Sequence, residues 1–380
     1  MASDEVDMSK SNPSRLPLQQ PSLPWRMTSS IVMGLTAALS RGFLYGLNSV
    51  EVVGLERFLD ILDKRKDVEK RQRGLITVSN HTSVLDDPIM WGVLPLKYGF
   101  NPSNHRWGLG AHDICYKNKL LGSFFYSGQV LPTHRLQHSS HGGLFQPTVS
   151  QAIRLLSSQP FVTPVSEVSE ESHDVPDPFT SGELTFTTTG MDQYVAPSIY
   201  SQNRYSWVHI FPEACVHQHP KMFLRYFKWG VSRLILESEP MPDVLPMFID
   251  GVQHVMPEDR KWPRFVPRFP VKFRVAFGEL LDTEKTFGDL RARWRELVRK
   301  ENKTLAMGEL TDELKYGKEA VDLRIEVARR VRDEVMKVRK SLRYPDEEEP
   351  GFELAETWAR EPSKDRFKSD VDDSLVNKRE

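Results

Sequence analysis

A histidine and a carboxylate five residues apart stand in the run Asn80-His81-Thr82-Ser83-Val84-Leu85-Asp86-Asp87-Pro88, and they are well suited to moving a proton. A neutral imidazole takes a proton from an alcohol, and a carboxylate fixes its tautomer and stabilises the imidazolium that forms. A five-residue step turns an ideal helix by about 140°, so the two cannot share a helical face. The pair works only if His81 lies in a turn and Asp86 reaches back to it. Leu75-Ile76-Thr77-Val78-Ser79 has the apolar, β-branched character of a strand, and Thr82 or Ser83 can cap a following helix. His81 then falls at a strand end, where α/β proteins place chemistry. A plainer reading makes His81 a turn residue and Asp86-Asp87 a solvated first-turn pair favoured by the helix dipole.

Other segments repeat the strand-end placement. Tyr205-Ser206-Trp207-Val208-His209-Ile210-Phe211 alternates like a strand and delivers Pro212-Glu213 to its end. Val244 to Asp250 and Val271 to Phe277 read as two further strands, while Gly128 to Arg135 carries an arginine beyond Val130-Leu131-Pro132-Thr133. A guanidinium there suits the geometry of a phosphate. No Gly-x-Ser-x-Gly elbow occurs, so no nucleophilic serine of that type is implied.

In order and spacing these blocks resemble the glycerolipid acyltransferases. Asn80, His81 and Asp86 match the first block, Gly128 with Arg135 the second, Phe211-Pro212-Glu213 the third, and Val244-Leu245-Pro246-Met247 the fourth. Asp87-Pro88, Trp91-Gly92, Gly110 to Cys115, Arg225 to Ile235 and Gly251 to Pro257 resemble the branch that passes acyl chains between phospholipids and lysophospholipids. The resemblance covers Val52 to Gly278, with one insertion.

What it implies is an α/β fold with a mixed central sheet flanked by helices and additional C-terminal helices. His81 would be the general base for a lysophospholipid hydroxyl, oriented by Asp86. Arg135, Phe211, Pro212, Glu213 and Ala214 would cradle the substrate, with Glu213 accepting glycerol hydroxyls or pairing with Arg135. No cofactor and no metal are implied, because the attacking alcohol belongs to the substrate. The implied partners are phospholipids and lysophospholipids, cardiolipin and monolysocardiolipin included, on a leaflet of a mitochondrial membrane facing the intermembrane space. A homo-oligomer or a larger membrane complex is compatible with this reading, and no nucleic acid is implied. Two rivals stay open: an acyl-CoA-dependent lysophospholipid acyltransferase, and a lipid-binding membrane protein with a weakened site. Ala214 motivates the second rival, since the family has glycine there. A left-handed alanine costs on the order of 1 kcal/mol.

Composition sets limits. The chain has 380 residues, 39% of them hydrophobic, enough for a sizeable core. A net charge of −1 gives no global attraction to nucleic acid or anionic lipid, so any membrane electrostatics must be local. Cys115 and Cys215 alone imply no disulfide framework. His209, Cys215, His217 and His219 do not have the paired-ligand spacing of structural zinc sites.

The organisation expected is a disordered arm over 1–24, a membrane-interface helix over 25–50, and an acyltransferase domain over 51–283. The domain is interrupted by a Ser/Thr/Pro/Glu-rich disordered insertion at 159–204. C-terminal helices follow over 284–344, with apolar stripes at Leu290, Trp294, Leu297 and at Val327, Val331, Val335, Val338, Leu342. Residues 345–380 read as a charged mobile tail.

Two amphipathic stretches suit a lipid interface. Leu35, Leu39, Phe43 and Leu47 form one stripe, and Gly34, Ala38, Gly42 and Gly46 form another that permits close packing. Arg41 shortens the uncharged run below the ~20 residues of a spanning helix, favouring a surface or re-entrant helix. Further on, Lys221, Arg225 and Lys228 oppose Phe223, Phe227, Val231 and Leu234 at helical spacing, with Tyr226 and Trp229 on the flanks. Phe223, Phe227, Lys228 and Trp229 are therefore interface candidates beside Leu35, Leu39 and Phe43. Buried helices would give the same patterns.

Overall fold

The computed structural model describes residues 23–136, 138–139, 142–157, 185–186, 194–195, 204–301, 310–345, 349–359 and 368–376. Residues 1–22 of the expected arm and most of the 159–204 insertion lie outside them. Eleven strands are described: β1 (Ser49–Val53), β2 (Leu75–Val78), β3 (Arg106–Ala111), β4 (Val130–Thr133), β5 (Thr185–Phe186), β6 (Tyr194–Val195), β7 (Trp207–Ile210), β8 (His217–Gln218), β9 (Asp243–Asp250), β10 (Lys272–Phe277) and β11 (Leu375–Val376).

Seven of them make one mixed sheet in the order β1-β10-β9-β2-β7-β3-β4. β9, β2, β7, β3 and β4 run parallel, and β10 is antiparallel to β9. The carboxyl ends of the parallel strands therefore share one edge of the sheet; the His81 turn after β2, Arg135 after β4 and Phe211-Pro212-Glu213 after β7 leave from that edge, while Val244-Leu245-Pro246-Met247 lies within β9. Both faces are covered. Ile76, Val78, Val208 and Phe248 join one buried cluster with the helices Pro147–Leu156, Gly230–Glu237 and Lys318–Ser341. Leu75, Trp207, Met247 and Ile249 join the other with α2 (Leu55–Lys64) and Leu44. Alternate side chains of a strand point to opposite faces, so two covered faces demand a continuously apolar strand.

The first helix, α1 (Leu23–Leu47), runs unbroken through Arg41. Its guanidinium is occupied with the carbonyls of Gly92, Val93 and Leu94 at 3.2–3.3 Å, so the charge that interrupts the apolar run is a clip to the domain. Ser29 Oγ donates to Ser127 O at 2.6 Å, and a Cβ on Gly34 would meet the Phe100 ring at 2.1 Å. Gly42 and Gly46 face open space instead. Arg26–Leu47 is long and apolar enough to cross a membrane by length and composition, with Arg41 interrupting its uncharged run as the sequence shows.

The stretch from Lys221 to Trp229 is not the amphipathic helix that its periodicity predicts. The helix begins at Gly230. Arg339, on the helix Lys318–Ser341, donates to the carbonyls of Lys221 and Met222, and Arg332 to those of Leu224 and Arg225. These donors take the carbonyls that a helix would have used internally, so tertiary partners override the local pattern. Phe223 and Phe227 are buried, which removes them from any lipid-facing surface, whereas Lys228 is exposed and Trp229 half-buried.

Phe223 is covered by the chain's own C-terminal residues. The segment expected to be a mobile tail includes the short helix Ala355–Trp358, and its Phe352 and Trp358 pack on Phe223. β11 then pairs antiparallel with β8, Leu375 opposite Gln218 and Val376 opposite His217. Apolar anchors at Phe352, Trp358 and Val376, spaced among charges, hold this segment down.

Candidate active site

β2 ends at Val78, and the turn to α3 (Asp86–Met90) is tied down at each residue that carries chemistry. Asn80 exchanges two hydrogen bonds with the backbone of Ile249, at 2.8 and 2.9 Å, clamping the turn to β9. Asp86 is fully buried at the first position of α3. Its Oδ2 accepts from His81 Nδ1 at 2.9 Å, from Thr82 N at 2.5 Å and from Ser83 N at 2.9 Å, while Oδ1 accepts from Thr82 Oγ1 at 3.0 Å. The carboxylate reaches back across the turn, as the five-residue spacing requires. It, rather than Thr82 or Ser83, organises the start of the helix.

A carboxylate oxygen already accepting two backbone N–H groups makes Nδ1 the protonated nitrogen of a neutral His81. Nε2 is then the acceptor, and it has no hydrogen-bond partner among the described residues. The His81 side chain is 21% exposed, which leaves that face open to an incoming hydroxyl. Its ring stacks on Phe211, centroids 4.5 Å apart and planes 25° from parallel. Phe211, expected in the substrate cradle, is thus the platform under the imidazole.

Glu213 also departs from its expected role. It is 1% exposed, and its Oε1 accepts from His81 N at 2.9 Å while Oε2 accepts from Arg225 N at 3.0 Å. It therefore fixes the His81 backbone and makes no pair with Arg135. The other backbone group of His81 is held as well, since His217 N donates to His81 O at 2.9 Å. Pro212 O accepts from Lys228 N at 2.8 Å, closing the same loop.

His217 was weighed only as a metal ligand in the sequence. It lies between Glu213, at 3.4 Å from Nδ1, and Asp372, at 2.7 Å from Nε2. Burial opposes its charge, but hydrogen bonds to Asp372 and Glu213 outweigh that penalty and raise its pKa above the usual histidine value. Burial likewise opposes the Asp372 carboxylate, and the contact with His217 overrides it to hold that pKa well below the usual range. Nothing in the sequence pointed to Asp372, which lies 155 residues from its partner in a highly charged stretch.

A second layer supports the site. Burial pushes His209 down to about 3, so it is a neutral hydrogen-bonding group, with Nδ1 2.8 Å from Thr77 Oγ1 and Nε2 3.4 Å from Ser79 Oγ. Asp87 accepts from Trp91 Nε1 at 3.0 Å and Arg106 Nε at 2.9 Å, linking α3 to β3. With His209 and His217 so engaged, the histidine-rich stretch 209–219 does not converge on a metal, and no group of three or more His, Cys, Asp or Glu suited to one occurs among the described residues.

Ala214 adopts φ = 54°, the left-handed region for which the family's glycine is suited, and its N–H donates to Phe211 O at 3.0 Å. The turn accommodates the methyl group at the cost of that strain. Arg135 leaves the end of β4, three strands from β2, and its Nε donates to Asp113 Oδ1 at 3.0 Å. A second guanidinium nitrogen pairs with Asp113 Oδ2. It shares the sheet edge with His81 without touching the residues around it.

A histidine held through Nδ1 by a buried carboxylate, on the carboxyl edge of a mixed sheet, has the geometry to accept a proton from an alcohol. The acyltransferase family model matches residues 50–250, which takes in the His81 turn and the loop after β7. Tafazzin of Saccharomyces cerevisiae is 36% identical over 347 residues, 88% of this chain and 84% of the relative. The chain belongs to the tafazzin family of acyltransferases. A further tafazzin, from Drosophila melanogaster, is 31% identical over 276 residues, covering 73% of this chain and 57% of that one. Among solved structures, the 1-acyl-sn-glycerophosphate acyltransferase of Thermotoga maritima aligns over 73% of this chain and 81% of its own, at 14% identity and a TM-score of 0.38. Within this tafazzin-family enzyme, the matched region holds His81, Asp86, Arg135 and Glu213, and ends at the strand β9 that clamps Asn80.

Proposed function

We propose that the enzyme transfers an acyl chain from a phospholipid to a lysophospholipid without coenzyme A, monolysocardiolipin being one acceptor and cardiolipin its product. The observation that carries this reading is the orientation of His81, with Nδ1 held by buried Asp86 and Nε2 open. Nε2 takes the proton of the lysophospholipid hydroxyl as its oxygen attacks the ester carbonyl of the donor. A C–O bond forms, the tetrahedral intermediate collapses, and the donor's C–O bond breaks. The departing glycerol oxygen recovers the proton from His81, so one ester replaces another and no further reactant is consumed. Asp86 stabilises the imidazolium between the two proton transfers. Arg135 would serve the lipid phosphate by exchanging Asp113 for it, a guanidinium fitting either anion.

Membrane association supports the same reading. Met27, Ile31, Leu35 and Leu39 form a stripe on α1 that is 53–75% exposed, an arrangement suited to lipid contact. Phe43 is not part of it, because it packs edge-on against Phe273 at 6.1 Å. Residence on mitochondrial leaflets facing the intermembrane space follows from the family reading.

The test is transfer of a labelled acyl chain from phosphatidylcholine to monolysocardiolipin in the absence of coenzyme A, comparing the wild type with His81→Ala. Loss of about 10²–10⁴-fold in rate is expected, the range for a general base. Unchanged transfer in the variant removes His81 as the base. Transfer that appears only when acyl-CoA is supplied replaces the phospholipid donor by the thioester.

A further inference from the structure

A loop on the far side of β9 exposes more aromatic surface than any function assigned so far uses. Between the short helix Val252–Val255 and β10, Trp262 is 86% exposed, Phe265 77%, Phe269 56% and Val266 46%. Such a patch in water calls for a partner. The exposure is built in rather than incidental, because two arginines brace the loop from inside. Buried Arg260 donates to Arg264 O at 2.6 Å and Pro257 O at 2.8 Å, and Arg264 donates to Arg260 O at 2.7 Å and Glu258 O at 3.0 Å. Arg268 N closes the turn onto Val255 O at 3.0 Å. These bonds pin the loop at Arg260, Arg264 and Arg268, and the three rings stay exposed beside them.

Charge narrows the partner. Lys261 and Arg268 are exposed beside the rings and Arg264 is partly exposed, against one exposed acid, Asp259. Aromatic rings flanked by Lys and Arg match the boundary between lipid headgroups and acyl chains, with an anionic leaflet favoured. Position agrees. Val271 N donates to Asn48 Oδ1 at 2.8 Å, and Ser49 N to Val271 O at 3.1 Å, so the loop returns to the sheet beside the end of α1. At its other end Glu258 N donates to Gln218 Oε1 at 2.9 Å, and the same amide's Nε2 donates to Thr82 O at 2.8 Å. Gln218 thus joins the base of the loop to the residue after His81.

We infer that the loop 259–270 is a membrane anchor whose rings Trp262, Phe265 and Phe269 enter the headgroup region of an anionic leaflet. It fixes the orientation in which the His81 turn meets the lipid. The identity of the surface rests on the lipid-transfer reading, but binding is measured without catalysis, so the two fail separately.

The experiment is flotation with vesicles of phosphatidylcholine and with vesicles of equal parts phosphatidylcholine and phosphatidylglycerol. Trp262→Ser/Phe265→Ser/Phe269→Ser is expected to weaken partitioning by about tenfold or more on both, given the area three rings bury. Lys261→Gln/Arg268→Gln is expected to lose the preference for the anionic vesicles, roughly fivefold for each cation removed, while binding to neutral vesicles persists. Brominated phosphatidylcholine should quench a fluorescence component present in the wild type and missing from Trp262→Phe. Thermal melts check that each variant is folded, as expected for exposed positions. Undiminished flotation of the triple variant overturns the inference, as does a Trp262 signal blind to brominated lipid. If the triple variant instead abolishes self-association while flotation is unchanged, the surface belongs to a second copy of the chain and the anchor is refuted.

Discussion

Replacing Asp372 with Asn tests whether the C-terminal segment holds the active-site turn. The carboxylate accepts from His217 Nε2 at 2.7 Å, and His217 in turn faces Glu213 and donates its own N–H to His81 O at 2.9 Å. A charge-assisted hydrogen bond of this kind contributes about 1.5–3 kcal/mol. Asn keeps the shape and removes the charge, so a loss of about 2 kcal/mol is expected, roughly thirtyfold in the ratio of docked to undocked segment. What remains on the docked side is the two-residue β11–β8 pairing and the burial of Phe352, Trp358 and Val376. Hydrogen–deuterium exchange should show lost protection at 213–219 and 368–376 together. With His81 as the proposed base, the turnover rate should fall about tenfold with the Michaelis constant nearly unchanged, since Asp372 reaches the His81 backbone only through His217. If exchange at 213–219 is as slow as in the wild type, the chain of contacts from Asp372 to His81 carries no coupling.

The same pair sets a pH window. His217 has a raised pKa, so its contribution is complete below the ordinary histidine value of 6.5 and is lost as pH rises through its folded value. Asp372 has a depressed pKa, so its contribution is complete above the ordinary aspartate value of 3.8 and is lost as pH falls through its folded value. Protection of 368–376, corrected for intrinsic exchange, should therefore be greatest between those two values and decline on either side of them. Asp372→Asn should flatten the profile. A wild-type profile that is already flat contradicts the assignment of charge to His217.

Three further outcomes follow from the geometry. Ala214→Gly relieves a left-handed alanine and should raise stability by about 0.5–1 kcal/mol, read from denaturant midpoints, with the transfer rate changed by less than about twofold because the backbone already holds the required turn. Arg135→Gln should raise the Michaelis constant for phospholipid more than it lowers turnover if the guanidinium exchanges Asp113 for a lipid phosphate; equal effects on lipid and on a phosphate-free acceptor would contradict that role. Glu213→Gln leaves one acceptor oxygen for two backbone donors and weakens the partner of His217, so a loss of about 1–3 kcal/mol in stability should accompany a fall in turnover.

What the sequence revealed and what it concealed divide by the range of the interactions. His81 and Asp86 were legible because the dyad is made within one turn, where spacing alone dictates which atoms can meet. The strand ends were legible because Leu75 to Ser79 and Val244 to Asp250 are largely apolar runs and Tyr205 to Phe211 alternates, each followed by turn residues. The strain at Ala214 was visible as an exception to a family pattern, and the backbone there is indeed left-handed. The stretch 221–229 misled because its periodicity is real but its carbonyls are taken by Arg332 and Arg339, more than a hundred residues away. Phe223 misled in the same way: its ring is apolar as an interface residue should be, yet Phe352 and Trp358 cover it. Glu213 was expected to face glycerol hydroxyls or Arg135 and instead accepts from the backbone of His81 and Arg225, since no local pattern tells a carboxylate whether it will face a ligand or a backbone amide. These errors share a cause, and it bears on how the enzyme works. The proposed dyad is encoded in six consecutive residues, whereas its orientation depends on β9, on the loop after β7 and on the C-terminal segment. A substitution far from the lipid can therefore cost turnover without weakening binding, which is the signature that distinguishes a positioning defect from a damaged base.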